Sequence, residues 1–337
     1  LAGTIVESRA PNRILDFGGW TDTHFAGRGR VVNLAVSLFA HVTLVARPQP
    51  GATIHILDYG DRLELADVVR EQYGSKHDLL LAALKIIPLE HGLDVYITAD
   101  VPPGCSTGSS AAITVSLLKA LSTMAGKPLC VHELARLAHR IETLELHHEC
   151  GIQDQIASAY GGVNYIAMDR YPEADVSPIR VAEATRFALE SRLLLVYEGQ
   201  GHLSSDVHRQ VIEELGRPGS AVRECLAGLA ACAEEAKTAL LSGDLDGLAE
   251  IMNANNRWQK ALHPGIATPR LERIEELARD RGAVGAMING AGGGGSISLL
   301  CRPGTRTIVA LALRREGFTI LPCTIAFDPA LAWISRS

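Results

Sequence analysis

The sequence predicts an α+β fold built as two lobes, and three observations point to it. Strand-like and helix-like segments alternate through the first half. A Pro- and charge-rich stretch without periodicity, 169–190, then interrupts them. The second half opens on long Ala/Leu-rich helices before returning to short strands. Lobes are expected over 1–180 and 190–337, joined near the interruption. With 337 residues, 47% of them hydrophobic and 21% charged, the chain can build a core in each.

Near the N-terminus, Pro11-Asn12 precedes a short strand in which Arg13, Leu15 and Phe17 are expected on one face. Gly18-Gly19 breaks it and presents Trp20, Thr21 and Asp22 on a turn. Residues 31–47 and 93–100 are rich in β-branched residues and read as strands. Leu, Ala and Ile recur at helical spacing over 76–91 and 109–125. The second of these helices starts at Ser109-Ser110 and stops near Gly126-Lys127-Pro128. A third helix is expected over 131–148, and strands over 163–168 and 193–197. Long helices follow over 219–242 and 244–262, broken at Gly243. The tail reads as helix 269–281, strand 284–288, glycine loop 290–295, strand 296–301, helix 305–315 and strand 318–322.

Composition excludes several function classes. The net charge is −6 and aromatic residues make up 5%, which argues against a phosphate-backbone or base-stacking nucleic-acid binder. No apolar run approaches the roughly 20 residues of a spanning helix, and Glu7 and Arg9 stand where a signal peptide needs apolar residues. A cytoplasmic protein without membrane contact is therefore expected. Seven cysteines without a CxxC pair fit neither a disulfide framework nor a zinc finger. His147-His148-Glu149-Cys150 looks metal-like, but adjacent helical residues point about 100° apart and rarely share an ion. Cys225 and Cys232 read as core.

Three loops carry chemistry. In the run Pro103-Gly104-Cys105-Ser106-Thr107-Gly108-Ser109-Ser110, a strand passes through a small-residue loop straight into a helix. Successive backbone N–H groups and the positive helix end there suit a polyphosphate, and a plain capping turn has the same composition. A thiolate at Cys105 in this loop would confer sensitivity to oxidation. Asn289–Gly295 formally contains GxGxxG, but a strand rather than a helix follows it and Arg315 stands where an acid is needed, so a dinucleotide loop is a poor fit. Its glycines imply close backbone approach to a partner, or a flexible hairpin. The Trp20–Asp22 turn suits a sugar, with the Trp plane under its C–H face and the carboxylate on its hydroxyls; a core Trp beside a turn-forming Asp is the alternative. Glu142 and Asp154, on consecutive helical segments, are not distinctive in isolation.

In this order and spacing, the segments resemble the GHMP kinase superfamily over nearly the whole chain. Arg13 and Asp22 stand nine apart as in galactokinase's PGRVNLIGEHTD, and 103–111 resembles the P-x-G-x-G-L-G-S-S-A nucleotide loop. Glu142 and Asp154 stand twelve apart, with Cys150-Gly151-Ile152 before Gln153-Asp154-Gln155 as in E…CGIMDQ, and 290–295 resembles the third family motif. Gly18-Gly19-Trp20-Thr21-Asp22, Val32–Leu38 and Gln153–Asn164 are most similar to bacterial D-glycero-D-manno-heptose 7-phosphate kinases, while L-fucokinases carry a similar Gly-Gly-Trp turn. Ser106-Thr107 replaces the usual Gly-Leu. Gly19-Trp20 replaces galactokinase's Glu-His, which points away from galactose.

The resemblance implies a ribosomal-protein S5 domain 2-like N-lobe and a ferredoxin-like C-lobe with ATP and sugar between them. It assigns residues 103–110 to the ATP phosphates, and Ser110 and Glu142 to Mg²⁺. It gives Asp154 the anomeric hydroxyl and Arg13 the charge on the moving phosphoryl group. Gly19, Trp20, Thr21, Asp22, Gly292 and Gly293 would meet the sugar. The implied reaction is anomeric phosphorylation of heptose 7-phosphate, with a free sugar as the alternative acceptor and a non-catalytic sensor as the alternative from another class. Arg28, Arg30 and Lys76-His77 are the nearest cations in sequence for a 7-phosphate. The sequence leaves the oligomeric state open.

Overall fold

The computed structural model describes residues 3–58, 60–200 and 204–336. The chain opens with β1 (Thr4–Phe17), β2 (Gly29–Arg47), β3 (Ala52–Ile56), β4 (Asp61–Leu65), α1 (Asp78–Ile86) and β5 (Gly92–Ala99). Next come α2 (Ser109–Met124), α3 (Val131–Arg140), α4 (Gln153–Tyr160), β6 (Val163–Arg170), β7 (Glu173–Pro178), α5 (Glu183–Arg192) and β8 (Leu193–Tyr197). The rest is α6 (Ser204–Leu215), α7 (Val222–Ser242), α8 (Leu245–Leu262), α9 (Pro269–Asp280), β9 (Ala283–Ile288), β10 (Ser296–Cys301), α10 (Arg306–Arg315), β11 (Thr319–Leu321) and β12 (Leu331–Arg336).

An eight-stranded sheet runs in the order β12-β1-β2-β5-β3-β4, with β6 on the far stretch of β2 and β7 beside it. The second, antiparallel sheet runs β11-β8-β10-β9. Clean alternation of buried and half-exposed residues over Ser37–Arg47 shows that this part of β2 covers a core on one face only. That core joins Val42, Leu44, Ile54 and Ile97 to Leu117, Leu118 and Leu121 of α2 and Leu134 of α3. A second cluster brings Phe17 and Leu34 from the first sheet together with Leu195 and Met287 from the second and with Leu240 of α7 and Leu248 of α8, so apolar packing bridges the two sheets.

Several expectations are corrected. The interval 169–190 is not irregular: it holds β7 and most of α5. The third helix does not reach 148. After Arg140 the backbone widens into a π-helical turn over Ile141–Glu145, with Leu146 N donating to Ile141 O. His147 through Cys150 therefore lie beyond any helix, and no metal-holding His/Cys/Asp/Glu cluster occurs among the described residues. The first helix closes at Ile86 because Pro88 bars the helical conformation of Ile87. The end of the 190–337 segment leaves the second sheet: β12 pairs antiparallel with β1, from Thr4↔Arg336 to Arg9↔Leu331.

Register shifts at Pro11/Asn12 and Ile14/Phe17, with Leu15 at φ 51°, break the expected alternation of β1. Ile14 joins Leu15 and Phe17 in apolar packing, and Arg13 turns away to the candidate site. No helix among the described residues is long and apolar enough to cross a membrane. Cys225 and Cys232 are buried on α7 as expected.

Candidate active site

The site is assembled where β1, the 103–108 loop, the start of α4 and the 290–295 loop meet. Gly104, Ser106 and Gly108 take positive φ (68°, 62° and 74°), which turns the chain sharply before α2. Gly108 is the N-cap and no side chain caps the helix, so Ser109 and Ser110 open α2 without the capping bond their type allows. The N–H groups of Ser106, Thr107, Gly108, Ser109 and Ser110 have no acceptor among the described residues. Successive free donors at a helix start form an anion cradle. Thr107 is buried, Ser110 exposed, and the Pro103 carbonyl lies 3.5 Å from Tyr197 Oη. Cys105 is fully buried, and burial pushes its thiol up to about 11, which gives no support to a thiolate in this loop.

Arg13 lies directly beneath the cradle. Its Nε donates to Asp154 Oδ1 (2.9 Å) and Nη2 to Asp154 Oδ2 (3.2 Å), a two-pronged pair, while Nη1 donates to the Ser106 carbonyl. The Arg13 N–H also donates to Thr107 O at 2.9 Å, tying the strand to the loop. Only 4% of the Arg13 side chain is exposed, against 30% of Asp154, so the pair presents its carboxylate to the cleft. Burial opposes the guanidinium charge, but Asp154, Asp16 and Asp22 together hold its pKa above the ordinary value. A Cβ on Gly108 would sit 3.3 Å from Asp154 Oδ2, a tight approach, and the φ of 74° at this position itself favours glycine.

Asp22 is buried and accepts from Gln153 N at 3.0 Å. Burial pushes its carboxyl up to about 6, Gln153 opposes the shift, and Asp154 and Asp16 add to it. Asp16, which alternation along β1 gives no reason to single out, is a second buried carboxylate here. It accepts from Gly290 N at 3.1 Å and from Gln153 Nε2 at 3.4 Å. Its one signal in the sequence is an acid within an otherwise apolar strand end, just ahead of the Gly-Gly turn.

Because Asp22 holds its proton more tightly folded than unfolded, the folded state binds more protons between about pH 4 and 6, and stability falls as pH rises through that window. Asp22→Asn should remove the contribution of Asp22 to this slope and gain up to about 3 kcal/mol relative to wild type above pH 6. Denaturant unfolding at pH 4 and pH 7 checks it; an identical pH difference in both proteins would mean that Asp22 titrates alike in the folded and unfolded states.

Glu142 is 9% exposed in the π-helical turn, and Gln155 Nε2 donates to its Oε1 at 2.6 Å. Burial pushes this carboxyl up to about 7; the Gln155 bond opposes that and Asp154 adds to it. Gln155 Oε1 is buried with no donor.

Other expected sugar contacts are placed differently. Trp20 is 4% exposed and packs edge-on against His208, with ring centroids 4.7 Å apart, so it is a core residue rather than an open stacking platform. Thr21 Oγ1 is spent on Gly18 O and Arg30 N, which closes the turn. Gly19 lies against the Asp16 carboxylate, where a Cβ would meet Oδ2 at 2.8 Å. Gly292 and Gly293 face Ile266, whose carbonyl accepts from Gly293 N at 2.7 Å. Gly290 is the member of that loop that lies against Arg13, where a Cβ would meet Nη2 at 3.0 Å.

Three of the four expected phosphate cations are committed elsewhere. Arg30 pairs with Asp169 (2.7 Å) and Glu234 (3.5 Å), and Lys76 and His77 both pair with Asp61. Arg28 is exposed.

Comparison with known proteins agrees with this geometry. The patterns of the GHMP kinases N terminal domain and GHMP kinases C terminal match residues 64–162 and 236–319. The chain is 28% identical, over 97% of its length and 98% of the relative's, to the D-glycero-alpha-D-manno-heptose 7-phosphate kinase of Campylobacter jejuni. It is 31% identical, over 77% of its length and 72% of the relative's, to the mevalonate kinase of Pyrococcus horikoshii. A crystal structure of a D-glycero-D-manno-heptose 1-phosphate kinase from Bacteroides thetaiotaomicron shares the fold with a TM-score of 0.80, at 24% identity, covering 98% of this chain and all of that one. With both domain patterns in place around a free-donor loop and the Arg13–Asp154 pair, the chain belongs to the GHMP kinases, and its two-domain fold is theirs.

Proposed function

We propose that this phosphotransferase moves the γ-phosphoryl group of ATP to the anomeric hydroxyl of D-glycero-D-manno-heptose 7-phosphate, giving the 1,7-bisphosphate. The observation that carries the reading is the Arg13–Asp154 pair set directly beneath the unsatisfied N–H groups of 106–110. Those donors hold the phosphates, and Asp154 orients the acceptor oxygen toward them. Arg13 offsets the charge that builds on the transferred group. The new bond joins the sugar oxygen to the γ-phosphorus, the bond to the ADP oxygen breaks, and Asp154 accepts the hydroxyl proton late. The heptose assignment rests on the similarity to the Campylobacter jejuni enzyme along nearly all of both chains.

Glu142, Ser110 and the unpaired Gln155 Oε1 are hard oxygen donors of the kind Mg²⁺ accepts, and a cation would relieve the buried Glu142 charge beside Asp154. When bound, the ion would supply charge neutralisation on the ATP phosphates. Glu142→Gln should raise the Mg²⁺ concentration for half-maximal rate roughly tenfold or more. An unchanged Mg²⁺ titration would remove Glu142 from the metal's surroundings.

The commitment of Arg30, Lys76 and His77 to acidic partners favours a second reading, a free-sugar kinase resembling L-fucokinases. Steady-state kinetics with heptose 7-phosphate, the unphosphorylated heptose and L-fucose separates the two. A KM for the phosphosugar far below that for either free sugar supports the first reading; a free sugar as the better acceptor replaces it with the second.

A further inference from the structure

Outside the active site, a cavity of about 300 Å³ lies between α3, α4 and the β6–β7 hairpin. His132, Arg136 and Arg140 line it at four-residue spacing, so one face of α3 carries a basic stripe. Like charges at that spacing repel, and neither Arg136 nor Arg140 has an acidic partner within ion-pair distance among the described residues. Arg170, Asp169, Glu173 and Asp175 also line the cavity. Asp169 is taken by Arg30 at 2.7 Å and Glu173 by Arg170 at 2.8 Å, which leaves two free guanidiniums facing one free carboxylate. Ile152, just ahead of α4, and Ile156 and Tyr160 on it supply an apolar and aromatic wall. Paired guanidiniums beside an aromatic wall and one hydroxyl-accepting carboxylate suit a small phosphorylated, hydroxylated molecule.

We propose that this cavity is an effector site for a small phosphorylated metabolite, distinct from the sites for ATP and the acceptor. Its walls are continuous with the active site. Arg140 immediately precedes the π-helical turn that carries Glu142, and Ile152 stands two residues before Asp154. The buried His139 ring is hydrogen-bonded to Tyr171 Oη at 2.8 Å, and Tyr171 Oη in turn donates to Cys150 O at 3.3 Å, linking the cavity wall to the segment between them. An anion drawing α3 toward the hairpin therefore acts on the segment that positions Glu142 and Asp154.

The test uses inorganic pyrophosphate as the probe and calorimetric titration of the full chain saturated with a non-hydrolysable ATP analogue, which occupies the phosphate cradle. One pyrophosphate site is expected, weakened tenfold or more by the double variant Arg136→Ala/Arg140→Ala. Both side chains are exposed, so the variant should fold and keep its basal kcat. Pyrophosphate should also change the KM for the sugar in wild type but not in the variant. Absence of binding to the saturated enzyme, equal binding by the variant, or binding without any change in KM would overturn the proposal.

Discussion

Asp154→Asn is expected to lower kcat about a thousandfold while leaving ATP affinity within about twofold. The carboxylate faces the cleft, and the phosphate cradle is built from backbone N–H groups that the substitution does not touch. An amide keeps the shape but can neither take the hydroxyl proton nor neutralise Arg13. Loss of a partner of a buried ion pair typically costs about 3–5 kcal/mol. Less is expected here, because Asp154 is partly exposed and Asp16 and Asp22 still oppose the Arg13 charge. Single-turnover kinetics and nucleotide titration on the folded variant check it. Equal loss of ATP binding and rate would make Asp154 a structural residue.

The second large effect is expected at Arg13→Lys. Lysine keeps the charge but cannot reproduce the fork that reaches both Asp154 oxygens and the Ser106 carbonyl together. The phosphate loop loses the Arg13 side-chain tether to β1 and keeps the residue-13 N–H to Thr107 O bond and the Thr107 Oγ1 to Asn12 Oδ1 bond. A fall in kcat of roughly a hundredfold or more, with a lower Tm, is expected. A kcat within threefold of wild type would mean that charge alone matters at this position.

Part of this site is legible in the residues alone, because the 103–110 loop and the turn that carries Asp22 are short segments rich in small residues and acids. Arg13, Glu142 and Asp154 lie on regular elements and stand out only through the resemblance of their order and spacing to the family's motifs; the fold brings Arg13, Asp22 and Asp154 to one point. Asp16 is hidden because strict alternation along β1 fails where Leu15 enters the left-handed region. Trp20 sits on a turn that the sequence leaves open between a sugar platform and a core residue; in the fold it joins an apolar cluster with Leu194, Val196 and Leu229, and both Phe25 and, from α6, His208 pack against its ring. Arg30 looks available in sequence because its partner Asp169 is 139 residues away, and no local pattern records such pairings. The same limit applies to β12, whose partner is the first strand. In the fold, regular helices and β-branched strands are legible. The π-helical turn is not, since one extra residue per turn leaves no periodic mark over five residues.

The most direct test is to identify the bond that is made. The enzyme, incubated with Mg²⁺, ATP and D-glycero-D-manno-heptose 7-phosphate, should release ADP and one new phosphosugar in equal amounts. Phosphorus NMR should place the new phosphate on the anomeric carbon, coupled to the anomeric proton. A phosphate on any other carbon, or no phosphosugar formed from any acceptor, would contradict the assignment of Asp154 and Arg13 to anomeric phosphoryl transfer.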